Sequence, residues 1–376
     1  MKKSLNFLAC MVLFFSCQHD QNGLQLNKDQ TEGNLFRQQC YTDIRFEQQI
    51  QKNPSLRRTI DLIEQKIDLT TTQSGLKMTQ TQYTIPIVVN VLYHKESENM
   101  TMDQIKDQIE VLNNDFNALN DDFDQVPEYF AALKAKVGIR FVLDKVVRKY
   151  SNKVKWPRDD RMKYEYNGGI DPTSPESKLN IWVCKIDGYS GFAQFPGEDV
   201  RTDGVVVNST NFGIHHPVFA KYNKGRTLTH EVGHWLGLRH LWGMWGCESD
   251  LVEDTPLQDG PNMGSPIFPH YSECDDESIE LTMNYMDYTL GSHRCMFTKG
   301  QKKRMLAHLI NNGPRSKYLI DSVSPNDSQV EDNQPDITAD PVVEDSPVDN
   351  QPEEDQNDTS TSGGWLDDFI DGLFGF

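Results

Sequence analysis

Apolar residues recur along this 376-residue chain with two periods, and the two alternate. From Met102 to Phe116 they fall at Met102, Ile105, Ile109, Leu112 and Phe116, the stripe of an amphipathic helix. Upstream, Thr84 to Tyr93 carries Ile-Pro-Ile-Val-Val-Asn-Val-Leu, which predicts a buried strand with Pro86 near its start. Ile139 to Val147 and Leu179 to Ile186 predict two further strands, and Gly204 to Val207 a short edge strand. Cys40 to Ile67 reads as helical, with Leu56, Ile60, Ile63 and Ile67 at three-to-four spacing. Another helix is expected after Gly225. Lys299 to Asn311 predicts a C-terminal helix capped by Thr298 with Gln301 three residues on, its Lys299, Lys302, Lys303 and Arg304 on a solvated face. Strands interleaved with long helices predict an α/β fold divided by a horizontal cleft.

The pattern changes at both ends. Lys2 and Lys3, an apolar run from Phe7 to Phe15, then Ser16-Cys17 read as an export signal over residues 1–17, too short to span a bilayer. Leu13 to Cys17 resembles a bacterial lipobox, in which Cys17 would carry lipid; Phe14 departs from its aliphatic position, so ordinary cleavage stays open. The expected location is the outer membrane or cell surface as a lipoprotein, otherwise secreted, with membrane contact only through that anchor. Residues 321–364 are rich in Pro, Asp, Glu, Ser and Asn and predict a disordered acidic tail. Trp365, Phe369, Ile370, Leu373 and Phe374 would share one helical face in 365–376, either a docking peptide for an unnamed partner or a frayed end. The formal charge is −19, but residues 321–376 hold sixteen acidic side chains and no Lys or Arg, leaving about −3 elsewhere. Acidity is a property of the tail. No basic patch with interleaved aromatics appears, so no nucleic-acid partner is expected.

The chemistry concentrates in His230-Glu231-Val232-Gly233-His234-Trp235-Leu236-Gly237-Leu238-Arg239-His240. Four residues apart on a helix, His230 and His234 leave one face and can share an ion. Gly237 can take left-handed dihedrals and turn the chain sharply, returning His240 as a third ligand. Three imidazoles leave one zinc position open for water, and Glu231 stands beside it as general base. Leu228, Val232, Trp235 and Leu236 fall on other faces and are read as core. In an exported chain, Cys40, Cys184, Cys247, Cys274 and Cys295 are candidates for disulfides, although Cys184 sits in an apolar run and reads as a small buried hydrophobe.

HExxHxxGxxH followed by Met283-Asn284-Tyr285-Met286-Asp287-Tyr288 resembles the metzincin metallopeptidases. His234 to Leu238, Asp254-Thr255-Pro256, Asn284 to Tyr288 and Ala193-Gln194-Phe195-Pro196 resemble their pappalysin branch in particular. The resemblance implies a metzincin-like catalytic domain at 83–320, a twisted mixed sheet and long helices split by the active-site cleft, behind a propeptide and activation linker at 18–82. It places Met286 beneath the zinc and gives Tyr288 the oxyanion of the tetrahedral intermediate. Phe36 to Asp43 resembles a segment whose cysteine binds the zinc in latent precursors, so Cys40 is either that switch or an incidental thiol. The resemblance pairs Cys247 with Cys274; Ser265 stands where a partner for Cys295 would be, leaving Cys295 unpaired and the nearby loop less constrained. It implies a structural calcium in the acidic loop of Glu248, Asp250, Glu253 and Asp254, with ligands at Asp250, Val252 and Thr255; a solvated acidic loop is the other reading. It also implies that an extended substrate pairs antiparallel to the edge strand of the cleft. The expected activity is zinc-dependent endopeptidase cleavage of extracellular proteins or peptides, by a monomer made as a zymogen. The competing reading is a surface-anchored binding lipoprotein acting through its C-terminal segment.

Overall fold

In the computed structural model, which describes residues 40–72, 82–214, 223–275, 278–310, 312–320 and 330–333, the Ile85–Leu92 run becomes the central strand. β1 (Tyr83–Tyr93) is buried along its whole length, as expected of a strand covered on both faces. Its neighbours β2 (Ile139–Tyr150) and β3 (Leu179–Cys184) run parallel to it. With β4 (Gly191–Ala193), β5 (Val205–Asn208) and β6 (Glu331–Asn333), the order is β4-β5-β3-β1-β2-β6. β4 alone among these pairings is antiparallel. The mixed α/β sheet expected from the sequence is present.

Four details differ from expectation. The 204–207 strand is interior, paired with β3 on one side and β4 on the other. The edge belongs to β4, whose three residues are too few to carry a visible period. The single helix expected over Cys40–Ile67 is two, α1 (Thr42–Lys52) and α2 (Ser55–Thr72). Asn53 (φ −138°, ψ 84°) leaves helical space because Pro54 clashes with an α conformation in the residue before it. Within the stretch expected to be structureless, Glu331–Asn333 extend the sheet, with Glu331 3.0 Å from Lys145 and Asp332 2.8 Å from Arg148. Cys17, the linker 73–81 and the segment 365–376 lie outside the described residues.

α3 (Met102–Phe116) occupies its expected span and is closed by a Thr101–Gln104 capping box. After the short α4 (Glu128–Ala131) and strands β2 to β5 come α5 (Arg226–Trp235) and α6 (Lys299–Leu309), the last capped by Thr298 and Gln301 as expected. Ile105, Leu112 and Phe116 of α3 join Leu228, Val232 and Trp235 of α5 and Met305, Leu306 and Leu309 of α6 in the main core. Trp156, Trp182 and Phe192 build a second core.

Arg304 is the fourth departure. It is buried beneath α2, its Nε donating to Gly237 O at 2.7 Å and its Nη2 to Glu64 at 2.7 and 2.8 Å. Periodicity of charge alone could not reveal that cover.

A buried polar network fixes α5 to α3. Arg226 donates to both Asp122 oxygens at 2.6 Å, while Asp115 accepts from Thr229 at 2.7 Å and from the Tyr285 hydroxyl at 2.8 Å. Buried charge is tolerated where every member is paired. The network therefore joins the helix of the histidines to the Met283–Tyr288 turn.

Candidate metal centre and active site

α5 is buried at every position, and His230 and His234 leave it on one face. The helix stops where its hydrogen bonds change hands. Gly237 (φ +87°) donates to His234 O at 2.8 Å, and Leu238 donates to Gly233 O at 3.0 Å. This is a Schellman closure, which needs a left-handed residue at the glycine position. The turn brings back His240, as the sequence suggested. The three Nε2 atoms stand 3.0, 3.1 and 3.2 Å from one another.

Those distances are not hydrogen bonds in any ordinary sense. Each opposite nitrogen already has an acceptor: His230 Nδ1 donates to Tyr285 O at 2.7 Å, His234 Nδ1 to Leu238 O at 2.8 Å, and His240 Nδ1 to Asp43 Oδ2 at 2.5 Å. Three Nε2 lone pairs therefore converge. Burial holds the His230 pKa well below its usual value and lowers that of His234 to about 3, so both rings are neutral. Zinc bonded to imidazoles at about 2.0–2.1 Å in a tetrahedron puts nitrogens about 3.3 Å apart. The donor set fits zinc.

Below the trio, a Cβ at Gly233 would come within 2.5 Å of Met286 Sδ, so the methionine lies directly against the helix. Asn284 holds this turn, bonding Met286 N at 2.9 Å and exchanging two bonds with Gln301 of α6. A Cβ on Gly237 would overlap the His308 ring. Gly237→Ala is thus expected to destabilise the fold by roughly 1–3 kcal/mol, from left-handed strain alone, and to weaken zinc retention by shifting His240. Thermal unfolding and zinc content of the purified variant check this.

Glu231 is fully buried beside the trio. Its Oε2 accepts from Thr42 Oγ1 at 3.2 Å and from Cys40 Sγ at 3.3 Å. Its Oε1 has no partner among the described residues. Burial pushes its pKa up to about 8, against the pull of the Cys40 and Thr42 hydrogen bonds. The Tyr288 hydroxyl donates to Cys40 O at 3.3 Å, and its ring lies 4.8 Å from that of His240. Cys40 Sγ and the three imidazole nitrogens all lie within 4.8 Å of one another. Cys40 bridges Gly191 in a parallel sense, and Tyr41 N donates to Gly191 O at 2.9 Å. The segment at Cys40 therefore follows β4 in the same direction.

Cys247 and Cys274 form a disulfide with Cα atoms 5.3 Å apart, while Cys184 and Cys295 are buried free thiols. In the acidic loop, Asp254 bonds Thr298 Oγ1 and Gly300 N, and Glu248 accepts from Met244 N. Asp250 differs: Oδ1 accepts from Val252 N at 3.1 Å and Thr255 Oγ1 at 2.7 Å, while buried Oδ2 has no partner among the described residues. Burial raises its pKa to about 7.

Two groups escaped the sequence reading. Asp43, in the first turn of α1, is the outer partner of His240; burial works to raise its pKa, but His240 prevails and holds it low. Asp287, buried beneath Tyr288, accepts from Asn262 N at 2.9 Å and Tyr288 N at 2.7 Å. Only the position of Asp43, three residues after Cys40 and in the first turn of a helix, could have drawn attention to the first, and nothing local to the second.

Comparison with known proteins agrees with this geometry. The family profile described as pregnancy-associated plasma protein-A, a peptidase family, matches residues 175–310. An extracellular metalloprotease of Verticillium alfalfae is 30% identical over 236 residues, 58% of this chain and 76% of its own length. Mature mirolysin of Tannerella forsythia, solved in complex with a cleaved peptide, is 38% identical with a TM-score of 0.62, over 64% of this chain and 97% of that one. A promirolysin mutant from the same organism is 35% identical with a TM-score of 0.69, over 75% of this chain and 97% of that one.

Proposed function

Because the chain belongs to the pappalysin family of metzincin metallopeptidases, we propose that it is a zinc endopeptidase, exported as a latent precursor, that cleaves extracellular proteins or peptides. The observation that carries this reading is the convergence of three imidazole lone pairs beside a buried glutamate, one of whose oxygens has no partner among the described residues. His230, His234 and His240 would hold a zinc ion, which would supply the Lewis acidity for activating water and polarising a carbonyl. Glu231 Oε1 takes the proton of the attacking water and returns it to the leaving amine, so the amide becomes a carboxylic acid and an amine with no covalent intermediate. A raised proton affinity suits one group to both duties. Tyr288, once its hydroxyl is released from Cys40 O, donates to the developing oxyanion. Met286 keeps the floor beneath the ligands packed. The outer edge of β4, once the Cys40 segment has left it, pairs with the substrate backbone.

In the precursor, Cys40, whose Sγ lies within 4.8 Å of the three imidazole nitrogens, would join the residues that hold the metal, and Asp43 secures His240. The larger share of this chain matched by promirolysin than by mature mirolysin supports that latency. Residues 18–82 are then the propeptide and linker, 1–17 the export signal with Cys17 as its lipid site, and 83–320 the catalytic domain. The names of the curated relatives, extracellular metalloproteases, support export. Asp250, Val252 and Thr255 would hold calcium, which would satisfy Asp250 Oδ2, without a partner among the described residues. The binding-lipoprotein alternative rests on residues outside those described, and the relatives reported above, named as metalloproteases, do not support it.

The test is cleavage profiling of the activated, zinc-loaded chain on a peptide library. Hydrolysis is expected to stop with a chelator and return with zinc. The pappalysin resemblance implies a basic side chain just after the scissile bond, chosen by an acidic residue near the last of the cysteines; here Met296 follows Cys295, and Arg294 donates to Asp287 O at 3.2 Å nearby. A weaker demand for arginine after the scissile bond is expected, and strict cleavage before arginine would contradict it.

A further inference from the structure

Past Cys40 and Tyr41, the N-terminal segment continues along β4. Thr42 Oγ1 accepts from Ala193 N at 2.9 Å, and three residues on, Arg45 enters a cup beyond the end of that strand. Its guanidinium lies 2.5 Å from Glu198 and 2.8 Å from Asp160, with Arg45 and Glu198 each 3% exposed. The cup is built without Arg45. Glu198 Oε1 accepts from Phe195 N at 2.7 Å, and buried Lys163 stands 3.0 Å from Asp160 while donating to Gln194 Oε1 at 2.7 Å and Thr202 O at 2.9 Å. Two carboxylates face a single ammonium there, so the cup carries net negative charge unless a second cation enters. A buried carboxylate stripped of its partner is costly, which favours refilling.

We infer that Glu198 and Asp160 form a cation-accepting subsite that a substrate Arg or Lys occupies after activation, and that Arg45 is its stand-in in the latent chain. This rests on the peptidase reading above. Polarity follows from β4. Gly191 adjoins the reacting centre, since a Cβ there would lie 2.8 Å from Glu231 Oε1. A substrate antiparallel to β4 then presents residues N-terminal to its scissile bond to the far end of the strand, where the cup is. At the rise of an extended chain, the basic residue sits roughly two to four positions before the cut. This selectivity is separate from any at the residue following the cut.

Profiling of the activated, zinc-loaded chain should show about tenfold higher kcat/KM for Arg or Lys than for Gln at one such position, chiefly through KM. Within Glu198→Gln the Arg-to-Gln ratio should fall to about twofold, and Glu198→Lys should turn it toward Glu. Peptide binding to activated Glu231→Ala, followed by calorimetry, should give the same tenfold preference in Kd without turnover, and Asp160→Asn in that background should reduce it. Peptides cut with no basic preference before the bond, or a preference that both variants keep, would overturn the subsite while leaving the peptidase intact. A zinc-loaded, activated chain that cuts no peptide would end both.

Discussion

Glu231→Ala is expected to lower kcat/KM on any cleaved peptide by about 10³-fold or more while zinc stays at one per chain. A positioned general base is worth about 10²–10⁴ in rate. In the proposed mechanism one carboxylate both accepts the proton and returns it, so its loss would touch two steps. Zinc should stay because no ligand is removed: His230 and His234 are oriented by Tyr285 O and Leu238 O, contacts that do not involve the Glu231 side chain. Stability should change little, since the variant deletes a buried carboxylate whose Oε1 lacks a partner among the described residues. Steady-state kinetics and elemental analysis on the same preparation separate the outcomes. Full activity in the variant would end the peptidase reading, and joint loss of zinc and activity would make Glu231 a support for the ligands rather than the base.

The parts legible in the sequence were those set by local chain geometry. His230 and His234 share a face because of helical pitch, and Gly237 marks the turn because few other residues accept φ +87°. β1, α3 and the Thr298 cap follow from period and capping chemistry. Whatever depended on distant partners stayed hidden. Asp43 meets His240 across 197 positions and Arg45 meets Glu198 across 153. The solvated reading of Arg304 failed because its cover, Glu64 of α2, lies 240 residues away. The break at Pro54 was legible, but the regular spacing of Leu56, Ile60, Ile63 and Ile67 drew the helix across it.

Latency offers the second large effect. The full-length, zinc-loaded chain is expected to be nearly silent, and Cys40→Ala to raise its activity on small peptides about a hundredfold, equivalent to about 2.7 kcal/mol of preference for the closed state. The proposed block is competitive: Cys40 Sγ lies within 4.8 Å of the three imidazole nitrogens and donates to Glu231 Oε2 at 3.3 Å, so it contacts both halves of the machinery. Removing it leaves α1 seated through Arg45 on Glu198 and through Phe46 against Phe195, whose rings are 5.0 Å apart. Large substrates should therefore gain less than small ones until the linker is cut. Asp43→Asn should act in the same direction but more weakly, because a neutral amide holds the His240 ring less firmly than a carboxylate does. If uncut Cys40→Ala stays as silent as the parent while its processed form is active, the block is the bulk of α1 and α2 lying across the cleft, and the thiol is incidental.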